Sequence, residues 1–411
     1  MCYLTLRRGR AEPRYAARRS LNRNWCPFVN RAAAPGCYNE FFVFSSGTFL
    51  PATDSLIASA GRWFLQSGIQ EPDGGVARYY RSDILKNAAV STEITGYAVS
   101  TLVFLHERTR DAEYLERAVR AARFLTRTAW DRSLGTFPFE RGLNGAESGG
   151  FAYFFDCGII VRGLLAAWRA TGEAEFRDAA ITAGRGMLTD FCSGPSIHPI
   201  LALPDKSPLQ YQSRWSASPG CYQLKSAMAW FDLFECTGES DFLHAYERAL
   251  DAALSTGGTF LPGDANCEKV MDRLHAYAYF LEGLLPVLDR AECASAFREG
   301  LDRVAGCLRE IAPQFVRSDV YAQLLRARLF GESLGVATLD SEAAAHEAEQ
   351  AAAFQLDSPD PRMAGGFGFG RKLGQPLPYV NPVSTAFAVQ ALALWSDRQN
   401  NALDARRQAL I

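Results

Sequence analysis

Two carboxylates, Glu93 and Asp156, each stand at the opening of an apolar, helix-patterned segment, in Ser91-Thr92-Glu93-Ile94-Thr95 and Phe154-Phe155-Asp156-Cys157-Gly158. Paired acids suit general acid–base work, one carboxyl giving a proton while the other activates water or attacks directly. The apolar neighbours Ile94, Phe154 and Phe155 favour the protonated form of one member. The same acids also suit the positive end of a helix, so a capping role stands beside the chemical one.

A third group is Asp272-Arg273-Leu274-His275. Residues three apart share a helical face, so Asp272 and His275 could act as an acid/base pair or as half of a metal site. No HExxH or comparable partner motif supplies further ligands, so no metal is expected. Of the five histidines, His106, His198, His244, His275 and His346, only His198, in a loop, is placed to join His275. Arg317, Asp319 and Tyr321 gather a cation, an acid and a phenol at another segment opening. A tyrosine base beside an arginine that neutralises a carboxylate would serve proton abstraction. Arg273, Arg214 and Lys225 could also hold a carboxylate, although surface ion pairing is the commoner duty of such side chains.

Tyr79, Tyr80, Phe137, Trp215, Tyr222, Phe367 and Phe369 lie in or beside loops that mix glycine, aromatic and charged residues. Their flat faces could pack on a ring-shaped ligand, and any single one could equally anchor its loop. No phosphate-binding loop or placed dinucleotide fingerprint is present, so no cofactor is expected.

The elements that must position these residues are helical. From Asp54 onward apolar residues recur at spacings of three and four. A turn repeats: Thr109-Arg110-Asp111-Ala112-Glu113-Tyr114, Thr171-Gly172-Glu173-Ala174-Glu175-Phe176 and Thr237-Gly238-Glu239-Ser240-Asp241-Phe242. Glycine there suits a left-handed helix end, and the acids suit the start of the next helix. Apolar helices open near Glu93, Asp156, Gln223, His275, Asp319 and Ser384. Six more amphipathic helices fall near 55–68, 111–128, 173–190, 239–255, 291–312 and 340–356. Twelve helices alternating in this way predict an all-α fold, a closed (α/α)6 toroid of six helical hairpins with inner and outer rings. An open solenoid is the rival, and neither end shows the polar capping repeat it needs.

The 411 residues carry 43 Lys+Arg against 45 Asp+Glu, and that balance argues against a nucleic-acid protein. No uncharged apolar run is long enough for a membrane span. None of the ten cysteines forms a CxxC pair, which predicts free thiols in a reducing, cytoplasmic setting. Residues 1–36 hold eight arginines and one acid, Glu12. We therefore expect a basic, disordered extension over 1–50, the toroid over 51–398 and a C-terminal tail over 399–411.

The hairpin count, the Thr-Gly-acid turns, the Asp73-Gly74-Gly75 and Gly365-Gly366-Phe367 entries and Arg273-Leu274-His275-Ala276-Tyr277 resemble the six-hairpin glycosidase superfamily. The resemblance covers roughly 54–398 and is architectural. It implies a funnel, formed by the loops leading into the inner helices, that binds an oligosaccharide or glycoconjugate. It also implies a glycoside hydrolase as the leading activity, with Asp156 as catalytic acid and Glu93 or Asp272 as its partner. A polysaccharide lyase or sugar epimerase acting on a uronate-containing glycan, using His275 and a tyrosine, is the alternative. A non-catalytic glycan- or protein-binding toroid also stays open.

Overall fold

The computed structural model describes residues 53–140, 150–194 and 196–411. The basic segment 1–50 lies outside the described residues. Among those described, twelve α-helices alternate between two rings. The outer helices are α1 (Thr53–Gln66), α3 (Ala112–Phe124), α5 (Ala174–Asp190), α7 (Ser240–Phe260), α9 (Ala291–Ile311) and α11 (Ser341–Ala352). The inner helices are α2 (Thr92–Thr109), α4 (Phe154–Thr171), α6 (Gln223–Thr237), α8 (Cys267–Leu284), α10 (Ser318–Ser333) and α12 (Pro382–Gln399). Each inner helix packs on the next, and α12 packs on α2, so the ring is closed. The fold is the (α/α)6 toroid.

Burial explains the two patterns. Helix α3 buries one stripe, Tyr114, Ala118, Ala121 and Ala122, as an outer helix should. Helix α12 is buried without a break from Pro382 to Leu394. Small residues let the inner helices approach closely. A Cβ on Gly163 would lie 2.5 Å from the carbonyl oxygen of Gly96, and one on Gly158 would lie 2.0 Å from Ser226 Oγ.

The repeated turn is a helix end built by threonine. The hydroxyls of Thr109, Thr171 and Thr237 donate to the carbonyls of Leu105, Ala167 and Leu233 at 2.7–2.8 Å. The same hydroxyls accept from the amides of Asp111, Glu173 and Glu239 at 3.1–3.2 Å. Gly172 and Gly238 take the left-handed conformation, at φ 73° and 75°. One threonine thus closes one helix and sets the entry to the next.

The segments before the inner helices pair with one another and gather at one end. Ser91 bridges Glu140. Phe151–Tyr153 runs antiparallel to Ile200–Ala202, and Phe315–Arg317 to Gly370–Lys372. Tyr80–Arg81 pairs with Tyr379–Val380, which joins the first such segment to the last. This end is the mouth. The far end carries the threonine turns and residues 400–411.

One boundary differs from the sequence reading. Asp272 and His275 do not open their helix, because α8 begins at Cys267, more than a turn earlier. Asn266 caps it by accepting from the amides of Glu268 and Lys269. The polar run before His275 is a first helical turn that reaches out of the ring, where apolar periodicity is weak.

Candidate active site

Glu93 and Asp156 lie in the first turns of the neighbouring helices α2 and α4. Gly96 sits against Ile160, so residues one turn before each, Glu93 and Asp156, face the same space. Both are interior, at 2% and 0% exposure. Neither oxygen of Asp156 has a hydrogen-bond partner among the described residues. Burial raises the Asp156 pKa well above the ordinary carboxylate range, and the charge on Glu93 raises it further. Burial raises Glu93 too, with Arg78 partly opposing. The two acids titrate as a pair, and burial favours keeping a proton on it.

Among the described residues, Arg78 is the cation that faces the pair. Its guanidinium meets Glu140 at 3.1 Å and lies over the rings of Tyr79 and Phe139, at 5.4 and 5.6 Å. Tyr153, just before α4, borders Asp156. Burial pushes its phenol up to about 12, with the Asp156 charge adding to the rise.

A second cluster lies across the mouth. His275 Nδ1 meets Gln323 Oε1 at 2.8 Å and Asp319 Oδ2 at 3.5 Å. An Nδ1–H donated to Gln323 leaves Nε2 as a lone-pair acceptor, and Nε2 is buried without a partner among the described residues. Burial pulls the His275 pKa well below its ordinary value, and Arg317 adds to the fall. Arg317 forks onto both oxygens of Asp319, reaches Asp272 at 2.8 Å and covers the Phe369 ring at 4.7 Å. Burial would raise Asp319, but the charge and hydrogen bonds of Arg317 hold it below the usual carboxylate range. Asp319 is therefore an anion.

Tyr279 joins the two clusters. It stands one turn after His275, with ring centroids 4.5 Å apart, and packs on Phe155 at 4.7 Å. Its hydroxyl accepts from that of Tyr97, one turn after Glu93, at 3.2 Å. Burial raises both phenols, and the Glu93 charge raises Tyr279 further. Tyr97, Phe155, Tyr279 and Phe387 form an aromatic floor beneath the acids.

The structure separates other expected site residues from this centre. Tyr80, Phe137, Tyr222 and Phe367 are fully interior. Tyr80 donates to Asp360, Phe137 packs on Trp130, and Tyr222 packs on Trp215 and donates to Ser218. The amide of Phe367 donates to Thr385 Oγ1. These are loop anchors, because their rings fill the space between loop and ring. Tyr321 faces outward, toward His346 and Glu347 of α11, since it stands two residues after Asp319 and half a turn around α10. Arg273 is turned from His275 in the same way and lies over Phe260 at 4.5 Å, donating to its carbonyl. Lys225 is buried beneath the aromatic floor against Glu282. His198 pairs with Tyr211 at 3.0 Å, so His275 has no histidine partner there. Tyr79, Trp215 and Arg214 keep exposed surface on mouth loops. No group of three or more potential metal ligands occurs among the described residues, and none of their helices is long and apolar enough to cross a membrane.

The residues missed in the sequence are Arg78, Glu140, Tyr153, Tyr97, Tyr279 and Gln323. A signal for three of them existed: Glu93/Tyr97, His275/Tyr279 and Asp319/Gln323 each place a second polar group four residues on, along the same helix face.

No protein-family model matches the chain, and no curated protein matches it in sequence. Solved structures do match in fold. A D-mannose isomerase aligns at TM-score 0.64 and 11% identity, covering 87% of this chain and 99% of its own. A cellobiose 2-epimerase from Spirochaeta thermophila aligns at 0.62 and 15%, covering 85% and 99%. An alpha-mannanase from Bacteroides thetaiotaomicron aligns at 0.58 and 12%, covering 86% and 98%. The chain has the six-hairpin fold of these sugar enzymes. Identities this low establish shared architecture, while chemistry rests on this chain's own side chains.

Proposed function

We propose that the protein is a carbohydrate-active enzyme that hydrolyses a glycosidic bond at the mouth of its toroid. The observation that carries this reading is Asp156, a buried carboxyl with no hydrogen-bond partner among the described residues, held beside Glu93. Burial favours the protonated form of Asp156, which delivers its proton to the glycosidic oxygen as the carbon–oxygen bond breaks. Glu93, as the carboxylate, takes a proton from the water that adds to the sugar carbon, or attacks that carbon first. Arg78 stabilises the carboxylate left on Asp156. The toroid and its sugar-enzyme neighbours in fold support the substrate class. Asp156→Asn should lower turnover by roughly 10²–10⁴-fold, the usual worth of a positioned proton donor, while a ligand still raises the melting temperature. Unchanged turnover would remove Asp156 from the mechanism.

His275 favours a second reading, sugar epimerisation or isomerisation. Its free, neutral Nε2 is the form a base needs to take a proton from a sugar carbon. The products separate the readings. Hydrolysis creates new reducing ends, whereas epimerisation in heavy water places deuterium on carbon without adding reducing ends. An ultraviolet-absorbing double bond would mean elimination.

A further inference from the structure

Beneath the aromatic floor lies a third charged layer, one turn further along the inner helices. Lys225 Nζ is 2.9 Å from Glu282 Oε2, and Arg326 donates to Glu282 Oε1 and to Gln390 at 3.0 Å. All four side chains are interior. Two cations facing one acid need a further acceptor, and the C-terminal segment supplies it. The main-chain oxygen of Ile411 accepts from Lys225 at 3.0 Å and from Arg326 at 3.2 Å, and the Ile411 amide donates to Gln390 at 3.1 Å. Leu410 and Ile411 are both buried.

The segment spans the far end of the ring. The Ala405 amide donates to Ser333 of α10, and Arg406 pairs with Glu107 of α2. Arg407 pairs with Glu235 of α6, and its carbonyl accepts from Arg162 of α4. Gln390 of α12 donates to Ala409. Through Glu282 the same layer includes α8.

We infer that residues 402–411 are a plug whose docking sets the floor of the candidate site, with Arg326 as the positioning residue. The contacts run without a break. Ile411 fixes the Arg326 guanidinium, which lies 3.9 Å over the Phe387 ring. Phe387 in turn packs on Tyr97, Tyr279 and His275. Removing the plug leaves Lys225 and Arg326 short of an acceptor and opens the layer to water. The inference is independent of which sugar reaction the mouth performs.

The test removes residues 402–411 and follows the five histidines by NMR, with a synthetic peptide of those ten residues added back. The groups around His275 are Asp319, Gln323, Arg317, Tyr279 and Phe387, and none is altered. The truncated chain should melt about 5–10 °C lower, as expected for lost burial of two aliphatic side chains. Its His275 signal should move and titrate at higher pH as water enters, and the peptide should restore both. A lower melting temperature with an unmoved His275 signal would make the segment a mere end-cap and overturn the proposal. Should the truncated chain not fold, full-length Arg406→Ala/Arg407→Ala, which cuts the rim ion pairs and the Arg407–Phe231 contact but leaves the Ile411 contacts in place, decides. It should speed hydrogen exchange at the Ala405 and Ile411 amides and shift His275 in the same direction. Faster exchange without a shift at His275 would equally overturn it.

Discussion

At the scale of single residues, the candidate site is a set of groups held in costly states. Asp156 is held above its ordinary pKa chiefly by burial, so folding favours its protonated form. That contribution is complete below the unfolded value near ~4 and is lost as pH rises through the folded value. Asp156→Asn escapes the loss. The variant should melt above the wild type at pH 8, with the difference shrinking toward pH 5. Identical melting curves at both pH values would show that Asp156 ionises freely. Asp319 has the opposite sign, since its depressed pKa adds stability above its unfolded value and loses it as pH falls. Glu93, Asp156 and Asp319 could be picked out as candidates because first-turn polar residues stand out against apolar helices, and His275 because a lone histidine interrupts an apolar run. Arg78 and Glu140 were not, because irregular loops bring them together and no spacing records that. The aromatic candidates could not be sorted for a related reason. A ring that anchors a loop and a ring that stacks on a ligand have the same local sequence, and only burial separates them.

At the scale of elements, close helix contact is what lets two acids share one space. The α2–α4 approach depends on Gly96 and Gly163, where a methyl group would meet backbone rather than a movable side chain. Gly163→Ala should therefore cost about 1–3 kcal/mol by overpacking, read as a lower denaturant midpoint. Gly306 of α9 has open space around its Cβ position and an ordinary helical backbone. Gly306→Ala should gain about 0.5–1 kcal/mol. A neutral Gly163→Ala would show that the inner ring has slack. Outer helices were legible to within a few residues because one stripe faces inward, as in α3 and α5. The start of α8 was not, since its first turn is polar and rests on the Asn266 cap rather than on apolar periodicity.

At the scale of the whole molecule, closure distinguishes this fold from a stack of repeats. Helix α12 covers α2, Trp63 donates to the carbonyl of Arg362, 299 residues away, and Arg108 of α2 pairs with Asp397 at 2.9 Å. A chain ending after α10 should consequently lose its sharp thermal transition. An open solenoid would keep one with a slightly lower midpoint, and circular dichroism melts tell the two apart. The contact between α12 and α2 also has a consequence for biosynthesis. On the ribosome α2 emerges well before α12, so the apolar flank of α2 that α12 covers waits until the intervening helices have been made. Between those two events the nascent toroid is an unclosed arc with two sticky edges, which is where a holding chaperone would be needed most.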